Sequence, residues 1–142
     1  MPNIKRIDHI AILVDNLEET LSFWTEALGI RLSHVEEIPD EKSKVAFLPL
    51  DGNEIELVMP TTTDSGLTRY LEKRGAGMHH LCLEVDNIDE MLKHLRDKGI
   101  QLINETPITG SGGKKYAFIH PKSAYGVMLE LYELPVDRDH QD

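Results

Sequence analysis

The sequence predicts an α+β fold of two tandem βαβββ modules, and three observations predict it. Asp8-His9-Ile10-Ala11-Ile12-Leu13-Val14-Asp15-Asn16-Leu17 and His79-His80-Leu81-Cys82-Leu83-Glu84-Val85-Asp86-Asn87-Ile88 follow one plan. Each sets a histidine early in an alternating apolar run that ends in Val-Asp-Asn and leads into a helical pattern. Ala46-Phe47-Leu48 matches Ala117-Phe118-Ile119, and Ile55-Glu56-Leu57 matches Leu129-Glu130-Leu131, so the repeat reaches the last strand of each copy. Asp51-Gly52-Asn53 stands between two alternating runs, which is a hairpin signal.

The first module spans about residues 5–60. A strand is expected over 7–14. Leu17, Leu21, Phe23, Trp24, Ala27 and Leu28 then recur at helical spacing until Gly29 stops the helix. Alternation resumes over 30–35, a polar stretch fills 36–43, and strands over 44–50 and 54–59 flank the hairpin turn. A linker over 61–76 carries a short helix near 66–73. The second module, about 77–135, repeats the order with a strand over 78–85, a helix over 88–98 stopped by Gly99, and strands near 101–103, 115–120 and 126–134. Gly110-Ser111-Gly112-Gly113 reads as a mobile loop, and 136–142 as a frayed polar tail. The whole is one domain.

Composition excludes some classes. At 142 residues the chain can bury a real core, and 40% apolar with 28% charged residues is that of an ordinary soluble protein. A net charge of -10 disfavours nucleic acid, which needs clustered cations, and nothing suggests a membrane partner. The single Cys82 has no intrachain disulfide partner and the N-terminus shows no leader pattern, so a cytoplasmic location is expected.

Strand alternation sorts the polar residues by face. Ile10, Ile12 and Val14 oppose His9, Ala11 and Leu13; His79, Leu81, Leu83 and Val85 oppose His80, Cys82 and Glu84. With the aliphatic side against the helices, His9 and His80 fall on the inner face, joined by Glu56 and Glu130 from the strands over 54–59 and 126–134. Two neighbouring inward carboxylates are costly unless they share a cation. His9, Glu56, His80 and Glu130 thus make a candidate N2O2 site for a first-row divalent ion. Four protein ligands on an octahedral ion leave two places for substrate oxygens and Lewis-acid chemistry. His79 lies on the aliphatic side and reads as structural. Cys82 reads as a small core residue, His34, His94 and His140 as surface, and Glu54 and Glu84 as solvated edge residues.

These modules, with Asp8-His9-Ile10-Ala11 at the start and a glutamate on each last strand, resemble the vicinal oxygen chelate superfamily over essentially the whole chain. Within it, Gly77-Met78-His79-His80-Leu81-Cys82-Leu83-Glu84-Val85-Asp86-Asn87-Ile88 and His120-Pro121-Lys122-Ser123-Ala124-Tyr125-Gly126-Val127-Met128-Leu129-Glu130-Leu131 resemble the methylmalonyl-CoA epimerases. The second motif discriminates, because lactoylglutathione lyases, the nearest rival, usually show an Asp-Pro-Asp-Gly type turn at His120-Pro121-Lys122-Ser123. A non-catalytic binding relative is the third reading. A ring-cleaving dioxygenase would use two histidines and one glutamate, so Glu56 counts against it.

The resemblance implies an eight-stranded, incompletely closed mixed sheet around a metal site. It implies epimerisation of methylmalonyl-CoA between (2R) and (2S) forms through an enolate. The ion implied is Co2+ first, with Ni2+, Mn2+, Zn2+ or Fe2+ as the others. Glu130 is then both ligand and acid/base group. Some epimerases carry a second glutamate in the strand where this chain reads Lys44-Val45-Ala46-Phe47, and that place falls on Val45, which cannot move a proton. Glu37 is the substitute candidate, and a water another. For the acyl-CoA partner the candidates are Ser111 in the glycine run, Lys114, Lys115, Lys122 and Ser123. A homodimer is expected from exposed sheet edges.

Overall fold

The structure is a computed structural model, and it describes residues 2–135. The tail expected to fray, with His140, lies outside the described residues.

The element order is β1 (Ile4–Leu13), α1 (Leu17–Ser22), β2 (His34–Ile38), β3 (Ser43–Leu50), β4 (Asn53–Pro60), α2 (Gly66–Arg74), β5 (Gly77–Val85), α3 (Ile88–Asp97), β6 (Ile108–Thr109), β7 (Lys115–Ile119) and β8 (Leu129–Glu133). This is βαβββ twice, with α2 between. The eight strands form one mixed sheet in the order β2-β3-β4-β1-β5-β8-β7-β6, open at β2 and β6. The pairs β1–β4 and β5–β8 are parallel, while β2–β3, β3–β4, β6–β7 and β7–β8 are antiparallel. The fold class expected from the sequence is the one observed.

The repeated Val-Asp-Asn is a helix start in both copies. Asn16 accepts the backbone N–H of Glu19 at 3.1 Å, and Asn87 accepts that of Glu90 at 3.1 Å. Each side chain satisfies a donor that the first helical turn leaves unpaired, and acidic residues follow both caps where the helix dipole favours them. Asn87→Ala is expected to lower the unfolding free energy by about 1 kcal/mol, read as a fall in urea midpoint at unchanged slope.

Other boundaries differ from expectation. The first helix is α-helical only to Ser22; Phe23–Ala27 form a π turn in which Leu28 N–H reaches the Phe23 carbonyl. Thr25 Oγ1 donates to the Leu21 carbonyl at 2.8 Å, a local bond that competes with the α ladder. Residues 30–33 are not strand: Ile30 and Leu32 pack as a loop onto the cluster under α1, and the ladder begins at Ser33, whose N–H meets the Phe47 carbonyl. Glu36 and Glu37, expected in a polar stretch, sit inside β2 because pairing with β3 outweighs their poor strand preference. Charges on an edge strand also discourage further pairing. The strand expected near 101–103 is reduced to one bridge, Leu102 with Ile119, because Asn104 Oδ1 takes the Phe118 N–H at 2.8 Å; β6 forms later instead. Strand β8 starts at Leu129, since Tyr125 and Gly126, with φ of 57° and 100°, still belong to a turn. The hairpin turn is as expected, with positive φ at Asp51 and Gly52.

Contacts divide the chain into two compact units, Met1–Asp8 with Leu81–Asp142, and His9–His80. In the first unit Ile88, Met91 and Leu92 of α3 pack on Val85, Leu102, Ala117, Ile119 and Leu131. In the second, Leu17, Leu21 and Trp24 pack on Ala46, Leu48, Ile55 and Leu57. These are the aliphatic faces that alternation assigned to the helices. The opposite face of the second unit is also packed: Ala11, Leu13, Val45 and Val58 meet Phe47 and, from α2, Leu67, Tyr70 and Leu71. Helix α2 therefore lies on the face that carries His9. Among the described residues no helix is long and apolar enough to cross a membrane.

Candidate metal centre

Within the unit His9–His80, two expected ligands face each other, and a third, Glu56, touches the first on its other ring nitrogen. Strand β1 pairs in parallel with β4, Ala11 opposite Glu56, so His9, Ala11 and Glu56 share a face. His9 Nδ1 lies 3.3 Å from Glu56 Oε2, and His9 Nε2 lies 3.3 Å from Nε2 of His80, the rings edge to face at 76°. His9 is buried, with 7% of its surface exposed.

This spacing suits a cation. Two metal–nitrogen bonds of about 2.1 Å, opened between a right angle and the tetrahedral angle, separate their nitrogens by about 3.0 to 3.4 Å. Two neutral imidazoles facing each other through Nε2 lone pairs repel unless a proton or metal ion lies between them. Paired imidazoles are donors that borderline divalent ions accept.

Glu130 belongs to the other unit. It is 8% exposed on β8, opposite Cys82 of β5 and Phe118 of β7. Cys82 and Glu130 are cross-strand neighbours and so share one face of that unit's strands. Beside it the same unit holds a polar network. Tyr132 donates to Asp8 at 3.0 Å, Arg6 pairs with Asp8 at 2.8 Å, and Glu84 meets Lys5 at 3.4 Å and Arg6 at 3.5 Å. Glu84, expected to be a solvated edge residue, is 7% exposed, and these two cations explain how its charge is tolerated there. Burial first, and then the bond to Asp8, pushes the Tyr132 phenol well above its ordinary value, so it stays a donor.

Other expected residues fall elsewhere. Glu37 pairs with Lys44 in β2–β3, which puts it on the face away from Val45, Phe47 and Glu56; Glu36, opposite Val45, is the carboxylate of β2 on the site face. Alternation cannot separate the two, because 36–43 reads from sequence only as a polar stretch. Val45 is buried on the α2 side with Ala11 and Leu13. Lys115 reaches Asp89 of α3 at 3.5 Å, on the helix side of β7, whereas Lys114 lies over the Tyr132 ring at 5.3 Å, on the face of Glu130. Ser123 Oγ accepts the Gln101 N–H at 2.8 Å in the turn after β7, where Lys122 also lies. Ser111 opens the turn Ser111–Gly113 before β7, so the glycine run is a formed turn. Cys82 is buried, as expected of a core residue, and His34 is exposed, stacked on Phe47 at 4.6 Å. The ring of His79 meets Tyr70 at 4.7 Å, and its Nδ1 lies 2.9 Å from Nδ1 of His80.

Two βαβββ modules in one open mixed sheet, each opening on a strand that carries an inward histidine, define a protein of the vicinal oxygen chelate class. The family model for the Glyoxalase/Bleomycin resistance protein/Dioxygenase superfamily matches residues 8–118, and the chain belongs to that superfamily and, within it, to the family of the methylmalonyl-CoA epimerases. The mitochondrial methylmalonyl-CoA epimerase of Mus musculus is 39% identical over 127 residues, 89% of this chain and 71% of that protein. An ethylmalonyl-CoA/methylmalonyl-CoA epimerase of Cereibacter sphaeroides is 33% identical over 92% of this chain and 99% of its own. Among solved structures, methylmalonyl-CoA epimerase from Mycobacterium tuberculosis superposes with a TM-score of 0.83 at 32% identity, covering 94% of this chain and 90% of that one.

Proposed function

We propose that this chain is a metal-dependent isomerase that interconverts the (2R) and (2S) epimers of methylmalonyl-CoA, with one divalent ion held by His9, Glu56, His80 and Glu130. The observation that carries the reading is the approach of His9 and His80 through their Nε2 atoms in a chain whose relatives are named for this reaction. The ion supplies Lewis-acid stabilisation of the charge that develops on the thioester oxygen as the α proton leaves. Glu130, buried on β8, removes that proton. The enolate is then protonated on its other side. Val45 has no proton to give, and Glu36, its cross-strand neighbour, is the carboxylate offered for that role, directly or through water.

Lys114, Lys122, Ser123 and the turn that begins at Ser111 are read as the CoA side of the pocket, and Lys115, on the helix face, leaves the set. Tyr132, held by Asp8, closes that side with an aromatic ring. On this reading the protein works in the cytoplasm as a single-domain homodimer, and Co2+ is the first ion to try.

The test is α-proton exchange in D2O with Co2+-loaded protein and methylmalonyl-CoA, followed by NMR beside a parallel assay with the methylglyoxal–glutathione hemithioacetal. Deuterium at C2 with conversion of one epimer into the other, dependent on the ion, is the expected result. Turnover of the hemithioacetal without exchange would overturn it in favour of lactoylglutathione lyase chemistry.

A further inference from the structure

We propose that His79 is the positioning residue of His80, accepting its Nδ1–H and so aiming its Nε2 lone pair at the metal site. The inference rests on the reading of His80 as a metal ligand given above.

A neutral imidazole has one nitrogen that donates and one that accepts. His80 uses both in opposite directions: Nε2 faces His9 Nε2 at 3.3 Å, and Nδ1 faces His79 Nδ1 at 2.9 Å. A ligating Nε2 must carry the lone pair, so Nδ1 carries the proton and donates it to His79. His79 then accepts through Nδ1 and keeps its own proton on Nε2. Metal-bound histidines commonly donate their second N–H to such a partner, which fixes tautomer and ring orientation and raises ligand basicity. Here an imidazole fills the place that a carboxylate or carbonyl usually takes.

His79 is itself held. Tyr70 meets its ring edge to face at 72°, and Arg74 lies over the Tyr70 ring at 5.2 Å, one turn further along α2. Tyr70 packs with Leu67 and Leu71 in the core on the face that carries His9. A continuous string, Arg74 to Tyr70 to His79 to His80, therefore ties the orientation of one ligand to the seating of α2. Alternation hid this: it sets adjacent residues on opposite faces of β5, yet the Nδ1 atoms of His79 and His80 lie 2.9 Å apart.

The experiment compares the parent chain with His79→Ala, His79→Asn and His80→Ala. It reads Co2+ affinity and the visible Co2+ absorption spectrum, the ring 15N shifts of His80 without added metal, and the melting temperature. His79→Ala is expected to weaken Co2+ binding by about 10- to 100-fold, to alter the Co2+ spectrum and to mix the His80 tautomers, with little change in melting temperature. His79→Asn, whose Oδ1 can accept, should recover most of the affinity. Unchanged affinity and spectrum in His79→Ala, or an equal loss in both variants together with a fall in melting temperature, would overturn the proposal. If His80→Ala binds Co2+ as the parent does, the ligand reading fails separately. The 15N shifts then still decide the His79–His80 bond: Nδ1–H in the parent supports it, and Nε2–H overturns it.

Discussion

Glu130→Gln is expected to slow metal-dependent exchange of the methylmalonyl-CoA α proton by about 10²- to 10⁴-fold, the usual worth of a positioned general acid or base. The substitution keeps the shape of the side chain and removes its basicity and charge. Glu130 is buried between Cys82 and Phe118 on neighbouring strands, and glutamine fills the same volume. The glutamine variant should therefore remain folded. A group that is both ligand and base predicts two losses in one variant, weaker Co2+ binding and a slow chemical step once the ion is saturating. Exchange measured at saturating Co2+ separates them. A rate within tenfold of the parent under that condition would show that another residue takes the proton.

Glu36→Gln and Glu37→Gln extend the same logic to the opposite side of the substrate. The β2–β3 register gives Glu36 the face of Val45 and Glu37 the other, so only the first variant should slow epimerisation.

What the sequence disclosed and what it hid divide along one line. Features fixed by local alternation and by the internal repeat were legible: the shared face of His9 and Glu56, the helix starts after Asn16 and Asn87, and the hairpin at Asp51-Gly52. A strand of period two has only two faces, and one misplaced residue would expose a whole aliphatic row. Features set by partners distant in sequence were not legible. Glu36 and Glu37 look alike until β3 fixes their register, and Glu84 looks like a surface residue until Arg6 and Lys5 cross to it. The role of His79 depends on Tyr70, nine residues away on α2, and on the seating of that helix. The π turn after Ser22 keeps the apolar spacing of an α-helix closely enough that periodicity cannot distinguish them.

Leu57→Ala is expected to destabilise the chain by about 2 to 5 kcal/mol without altering chemistry in the molecules that stay folded. Leu57 has no exposed surface and packs with Leu17, Ala46 and Leu48 under α1. Truncation removes buried methyl groups and leaves a cavity that the rigid β3–β4 ladder, with Ala46 opposite Leu57, cannot collapse into. The next residue along the strand is Glu56, whose carboxylate points to the other face and touches His9. Adjacent substitutions should thus separate cleanly. Leu57→Ala lowers the denaturation midpoint and leaves Co2+ affinity and kcat per folded molecule near the parent values, whereas Glu56→Gln weakens Co2+ binding with little change in midpoint. Urea titrations and Co2+ binding on the same two proteins check it. If Leu57→Ala weakened Co2+ binding as much as Glu56→Gln under conditions where both are folded, the two faces of β4 would not be independent, and the assignment of one to structure and the other to the site would fall.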